Sequence, residues 1–195
     1  GWTPEDATAV FESMGTGMLM GYKHALNMPS RFRLSVLDCL RGIKKAMDAK
    51  WFDMESFDLD RYALLENPAQ FDLHQICPKF LAFRGPDSGD PRFHSPDRYC
   101  ELFVSMGVSA VIRLNATDGY DSSIFVSKGI QVLEVRLGST KVPSAADIDK
   151  FLEICDAHEG MIAVHCTGGR GRTATMLGVW MMRRQGWSAR DAIAW

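Results

Sequence analysis

Met161-Ile162-Ala163-Val164-His165-Cys166-Thr167-Gly168-Gly169-Arg170-Gly171-Arg172-Thr173 is the stretch that decides how this chain folds. The apolar run Met161 to Val164 predicts a short buried strand. After the turn, Thr173, Met176, Leu177, Trp180 and Met181 recur at helical spacing. A strand, a glycine-rich turn and a helix start make an anion site, because the first amides of a helix lack partners within it and its dipole points positive into the turn. Gly168, Gly169 and Gly171 are expected to let the backbone curl until successive amides face one point. Cys166 opens this cradle. Arg172 stands near its end and offers a planar fork that fits two phosphate oxygens. Helix end and cation together lower a thiol from about 8.5 into the range of roughly 3.5–7.5. Thiolate, amide nest and guanidinium are the parts of a nucleophile for phosphoryl transfer. A nucleotide-binding loop is excluded, since GxxxxGK[ST] needs a lysine before the threonine and Arg172 stands there.

Working outward, the flanking sequence alternates strand and helix. Phe80–Phe83 reads as a strand, and a Gly/Pro/Asp loop runs from it to Ser95. Ser95-Pro96 opens a helix with Tyr99, Leu102, Phe103 and Met106 on one stripe; Val108–Leu114 and Gln131–Leu137 read as strands. Ser144 begins a helix carrying Ile148, Phe151, Leu152 and Cys155 on one face. The helix after the Cys166 turn stops at Gln185-Gly186, and Ser188 to Asp191 is a capping box for a last helix. This alternation predicts an α/β fold with a mainly parallel sheet flanked by helices, its ligand at the carboxyl ends of the strands. Upstream, residues 1–50 read as three helices. One is capped at Thr3-Pro4, one covers Gly17 to Asn27, and one covers Leu34–Ala49 with the stripe Val36, Leu40, Ile43 and Met47. Residues 51–78, acidic, aromatic and broken by Pro68 and Pro78, read as an ordered connector.

Composition removes several classes. The 195 residues are 46% hydrophobic and 24% charged with a formal net charge of −2, which gives no drive toward nucleic acid or an anionic membrane. Cysteines 39, 77, 100, 155 and 166 contain no CxxC pair, and with the five histidines they complete no metal site, so no metal and no cofactor are expected. No apolar run is long enough to span a membrane and no leader is evident, so a reducing compartment is expected.

The motif HCxxGxxRT at 165–173 is shared by cysteine-based dual-specificity phosphatases. Rhodanese-type sulfur-transfer loops also join Cys and Arg, but usually lack the flanking His and Thr. LDCLRGIKKA at 37–46, WFDMESFDLDRY at 51–62, PKFLAFRGP at 78–86, VIRLN at 111–115 and FLEICDAHEGMIAVHC at 151–166 narrow the match. Over essentially its whole length the chain resembles the tandem-domain phosphatases of the cell-division-cycle 14 type. The resemblance implies that residues 1–58 are the helical C-terminal part of a non-catalytic phosphatase-like domain. It makes 59–78 a linker and 79–195 a catalytic domain that is incomplete at its C-terminus. It implies hydrolysis of phosphoserine or phosphothreonine before proline, and of phosphotyrosine, through a cysteinyl-phosphate. Cys166 would then be the nucleophile and Arg172 the clamp. Thr167, Gly168, Gly169, Arg170 and Gly171 would hold phosphate, Thr173 would bond the thiolate, and His165 would brace the loop. Glu66 matches an acidic position that selects basic residues after the phosphosite. A phosphoprotein partner, a larger assembly, and a cytoplasmic or nuclear site near the cytoskeleton (centrosome, spindle or cilium) follow from the same likeness.

Two positions depart from that pattern. The resembled family carries its general-acid aspartate after the third strand, where this chain has Leu137-Gly138-Ser139-Thr140-Lys141-Val142-Pro143 and no carboxylate. Asp147 belongs to a capping box with Ser144. Asp118 and Asp121, after strand 108–114, are the candidates for a displaced acid, with Asp87 and Asp90 behind them. Arg170 stands where that family is apolar and where tensin-type phosphoinositide phosphatases are basic. Three functions therefore stay open: an active protein phosphatase, a catalytically impaired phosphate-binding scaffold, and an inositol-phosphate or phosphoinositide phosphatase.

Overall fold

Leu73–Cys77 (β1), Phe80–Arg84 (β2), Val108–Arg113 (β3), Gln131–Glu134 (β4) and Met161–Cys166 (β5) form one sheet in the order β1-β2-β5-β3-β4. The computed structural model describes residues 2–15, 32–87, 89, 94–115, 119–138 and 142–195. β5 is the most apolar strand and is buried from Ile162 to Cys166, so it takes the middle of the sheet, parallel to β2 on one side and β3 on the other. Only β1, at the edge, runs antiparallel. The sheet is mainly parallel with helices around it, as the alternating pattern predicts.

The helices are Pro4–Ser13 (α1), Val36–Asp48 (α2), Leu59–Glu66 (α3), Pro96–Ser105 (α4), Ser123–Val126 (α5), Ala145–Ala157 (α6), Gly171–Arg184 (α7) and Ala189–Ala194 (α8). The chain divides into two compact units, one of residues 58–179 and one of residues 1–57 with 180–195. In the sheet unit, α4 lays Tyr99 and Phe103 on Phe83 at ring separations of 5.0 Å each, and Phe125 of α5 stacks on Phe103. Ser144 and Asp147 cap α6 reciprocally, and its face of Phe151, Leu152 and Cys155 is buried.

Residues 59–78, read as a linker, hold α3 and β1 and so belong to the sheet unit. β1 buries only its two ends, Leu73 and Cys77, and so short a pattern between two prolines carries little strand signal. Residues 180–195, read as part of the catalytic domain, group with the N-terminal helices. There α2 packs on α8 through Asp38, Gly42 and Ala46, while Val36, Leu40, Ile43 and Met47 stay half-buried. The absence of a Cβ at Gly42 makes this possible, since one would meet the Trp195 nitrogen at 2.8 Å. Arg190–Asp38 and Lys45–Asp191, both 2.7 Å, flank the contact. The helix expected over 17–27 lies outside the described residues.

Candidate active site

Strand register gathers the site. Arg84 pairs with Cys166 and Arg113 with His165, so the carboxyl ends of β2, β5 and β3 arrive together. Gly85 donates its N–H to the Cys166 carbonyl at 3.0 Å and Leu114 donates to the His165 carbonyl at 2.8 Å. A Cβ at Gly85 would lie 2.5 Å from the Cys166 carbonyl oxygen and 2.6 Å from His165 Nδ1, so only glycine fits there. In the turn itself, Gly169 alone needs its freedom. Its φ is 69°, and a Cβ would stand 2.5 Å from the Phe83 carbonyl oxygen. Gly168 and Gly171 face open space. The curl expected of three glycines is therefore carried by one, which presses the loop onto the end of β2.

Cys166 is 3% exposed. Burial pushes its thiol up, but the Thr173 hydroxyl and N–H, the Arg172 guanidinium and the Gly169 amide together overrule it, and the thiol lies below its ordinary value. Thr173 Oγ1 is buried and makes no hydrogen bond of ordinary geometry. It lies near enough to the sulfur for its dipole to favour the thiolate, which is the acceptor it lacks. Arg172 donates from Nη1 to the Leu137 carbonyl and from Nη2 to Thr167 Oγ1, each at 3.1 Å, and these bonds fix the plane of its fork at the loop.

His165 is fully buried, and burial, with the Arg113 and Arg172 charges behind it, lowers its pKa to about 3 against the pull of the Cys166 carbonyl. The ring is neutral. Tyr120 Oη lies 3.0 Å from Nε2, and the Cys166 carbonyl lies 3.4 Å from Nδ1. A carbonyl only accepts, so the proton sits on Nδ1 and Tyr120 donates to Nε2. The Arg113 guanidinium covers the Tyr120 ring at 4.5 Å. Arg170 extends to Asp72, donating to Oδ1 at 3.2 Å.

No acid stands beside the sulfur among the described residues of the segment after β4. Leu137 is 2% exposed, so its side chain belongs to the core and its carbonyl to Arg172. Asp147 accepts from Ser144. Asp121 is exposed and accepts from the Ser123 N–H and hydroxyl, which hold it below the usual carboxylate range; a carboxyl kept charged is a poor proton donor. Asp118, Asp90 and Ser139 lie outside the described residues. Asp87 accepts from the Gly89 N–H at 2.9 Å. Glu66 is exposed at the end of α3, where its bond to the Tyr62 hydroxyl pushes that phenol up. Among the described residues no group of His, Cys, Asp and Glu is placed to hold a metal ion, and no helix is long and apolar enough to cross a membrane.

Residues 91–192 match the family described as Swiss Army Knife protein, DSP-PTPase phosphatase domain. The chain belongs to this phosphatase family. The dual specificity protein phosphatase CDC14A of Homo sapiens is 34% identical over 200 residues, 99% of this chain and 33% of its own length. CDC14B of Mus musculus is 35% identical over 203 residues, 100% of this chain and 41% of its own length. The chain thus spans between 33% and 41% of the length of these two relatives. Among solved structures, TpbA of P. aeruginosa matches with a TM-score of 0.53 at 20% identity, over 65% of this chain and 72% of that one. PTPMT1 matches with a TM-score of 0.51 at 24% identity, over 63% and 80%. At those identities the likeness is one of fold. Against the phosphatase pattern, sequence reading misses Tyr120, Arg113 and Asp72. Each acts on a loop residue distant in sequence, and no local spacing marks it.

Proposed function

We propose that this chain forms the catalytic region of a cysteine-dependent protein phosphatase acting on phosphoserine and phosphothreonine before proline and on phosphotyrosine. The observation that carries the reading is the buried Cys166 thiol held below its ordinary pKa at the mouth of a loop closed by Arg172. The thiolate attacks phosphorus while the bond to the leaving oxygen breaks, giving a cysteinyl-phosphate and an alkoxide or phenolate that takes a proton. Water then attacks the same phosphorus, the S–P bond breaks, and inorganic phosphate and the thiolate return. Arg172 and the amides of 167–172 hold the three equatorial oxygens through both steps. Thr173 donates to the departing sulfur in the second, and the neutral His165 holds the Cys166 carbonyl. The partner we propose is a phosphoprotein within a larger assembly, in the cytoplasm or nucleus near the cytoskeleton, on the likeness to CDC14 proteins; that likeness also supports reading 1–58 as part of a non-catalytic phosphatase-like domain.

Leu137 favours a second reading. The segment that would bring the acid presents a core side chain and a carbonyl bound to Arg172, which suits a phosphate-binding scaffold with weak turnover. The test is turnover of the whole chain on aryl phosphates and on phosphoserine–proline peptides, with Cys166→Ser as control. Cys166-dependent release of phosphate is expected. Release that survives Cys166→Ser, or no release and no vanadate binding, overturns the assignment of the loop.

A further inference from the structure

Gly168 and Gly171 face open space and carry no side chain to hold them. The stretch between them is tied to the body at Gly169 and at Arg170. Gly169 sits against the backbone of Phe83 and Arg84. Arg170 reaches Asp72, donating from Nη2 to Oδ1 at 3.2 Å. Such ties matter, because amides that converge on one point repel one another as dipoles, and a glycine-rich backbone has many other conformations to visit.

Asp72 is built to stay still. Its N–H donates to the Asn67 carbonyl at 3.2 Å, the carbonyl that also takes the Gln70 and Phe71 N–H groups at 2.9 Å each. Its own carbonyl accepts from the Arg84 N–H at 3.1 Å. Its φ of 47° is left-handed, which aspartate tolerates better than most residues. From α4, Arg98 donates to the Gln70 carbonyl at 2.6 Å and the Tyr99 hydroxyl to the Phe71 carbonyl at 2.8 Å, so the residues before Asp72 are clasped too. The Asp72 side chain is 6% exposed and that of Arg170 73%. The carboxylate is the fixed partner and the arginine the long arm, so the arm takes its order from Asp72. The Arg84 guanidinium stands 3.9 Å from the other carboxylate oxygen.

We infer that Asp72 is a positioning residue for phosphate transfer: by holding Arg170 it keeps the backbone N–H groups of residues 169 and 170 turned toward the sulfur and the phosphate. The inference rests on the phosphatase reading and adds a residue to its machinery. The sign of its effect separates it from plain electrostatics. A carboxylate beside an anion site repels the anion and disfavours the thiolate, so on charge alone its removal tightens anion binding. The loss of a positioning carboxylate does the reverse. It loosens amides that favour the Cys166 thiolate, the Gly169 N–H among them.

The test measures vanadate affinity by calorimetric titration, kcat/KM on an aryl phosphate, and the pH half-point of alkylation read at Cys166 by mass spectrometry. Asp72→Asn keeps the shape and tolerates the backbone angle, but its uncharged oxygen bonds Arg170 more weakly. Asp72→Ser does not reach Arg170. Vanadate affinity and kcat/KM should fall about twofold in Asp72→Asn and about three- to tenfold in Asp72→Ser, with the half-point rising by about half a unit in the latter. Beside Arg170→Met, Asp72→Ser should cost nothing further, because the residue it acts through is already gone. Equal or tighter vanadate binding in Asp72→Ser overturns the role, as does a loss that persists at full size beside Arg170→Met. A wild-type chain that binds no vanadate overturns the phosphatase reading itself, and the positioning role with it.

Discussion

Two segments meet at Arg172, and they are built from opposite materials. The turn after β5 offers polar groups to one point: the Gly169 amide, the Thr173 hydroxyl and N–H, and the Arg172 guanidinium all favour the Cys166 thiolate. The stretch after β4 simply continues the sheet. Val135 and Leu137 donate their N–H groups to Arg113 and Leu114, bury their side chains, and leave a carbonyl for Arg172. On the proposed reading the first segment supplies the nucleophile, and the second is where the resembled family places its proton donor. The thiolate is favoured mainly by groups of its own loop, with the distant segment contributing only the Leu137 carbonyl that fixes Arg172, whereas a proton donor at the resembled family's position would have to come from that segment.

The largest effect that would break this contrast is leaving-group dependence. A general acid contributes roughly 10²–10⁴-fold, and a serine alkoxide needs the proton far more than a nitrophenolate does. Phosphoserine–proline peptides are therefore expected to turn over more slowly than aryl phosphates by about that factor. The acidic limb of the pH–rate profile should be present and the basic limb absent. A bell-shaped profile with comparable rates on both substrates would show an acid supplied from elsewhere, with Asp118→Asn the first variant to make. Ser139→Asp is the better repair, expected to raise peptide turnover about tenfold or more, because Leu137→Asp would place a charge in the core.

Arg172→Lys sharpens the other side of the contrast. Lysine keeps the charge but cannot bond Leu137, Thr167 and two phosphate oxygens together, so vanadate affinity should fall about 30- to 100-fold with the melting temperature nearly unchanged. Calorimetric titration giving the wild-type affinity would mean the fork has no special part. Next in size is the thiol itself. Alkylation rate against pH should have its half-point below about 8.5, and Thr173→Val should raise that half-point by about one unit. Cys39, Cys77 and Cys100 are each pushed up by burial, and with Cys155 substituted as well the signal at neutral pH belongs to Cys166. A wild-type half-point at the ordinary value would remove the basis for the nucleophile.

The smallest effect concerns His165. Its folded pKa of about 3 lies below the ordinary 6.5, so the unfolded chain takes up the proton first. Stability is unaffected above pH of about 6.5 and is lost as the pH falls from there toward 3, by up to about 1.4 kcal/mol per pH unit. Denaturant midpoints at pH 7 and 5 measure this slope, which His165→Asn should flatten. Tyr120→Phe leaves Nε2 without its donor and should cost about 1 kcal/mol at pH 7; no change in midpoint would mean the hydroxyl does not hold the ring.

The strand, turn and helix start around Cys166 were legible because they are local. An apolar run, one cysteine, glycines and an arginine within a few residues specify strand, turn and helix start without reference to the rest of the chain. What escaped reading depends on partners brought together by topology. Arg170 and Asp72 are 98 residues apart, and Tyr120 and His165 are 45 apart, and neither pair has a spacing to recognise. The buried row of α2 escaped for another reason: a stripe of large apolar residues outweighs Asp38, Gly42 and Ala46 by size, yet the small residues are the ones that admit α8. β1 escaped because a five-residue strand that buries only its two ends has almost no period to count.

Trp51 stacks on Trp187 at 4.8 Å and on Trp180 at 6.1 Å, and this cluster has an optical consequence. All five tryptophans, at positions 2, 51, 180, 187 and 195, fall within the unit of residues 1–57 and 180–195. The unit of residues 58–179 contains none, so under red-edge excitation it is dark. Indole emission, and the exciton signal of the stacked rings in circular dichroism, therefore report the helical unit, while the reactivity of Cys166 reports the sheet unit. Unfolding followed by both channels at once distinguishes one cooperative transition from two, with no label added to the chain.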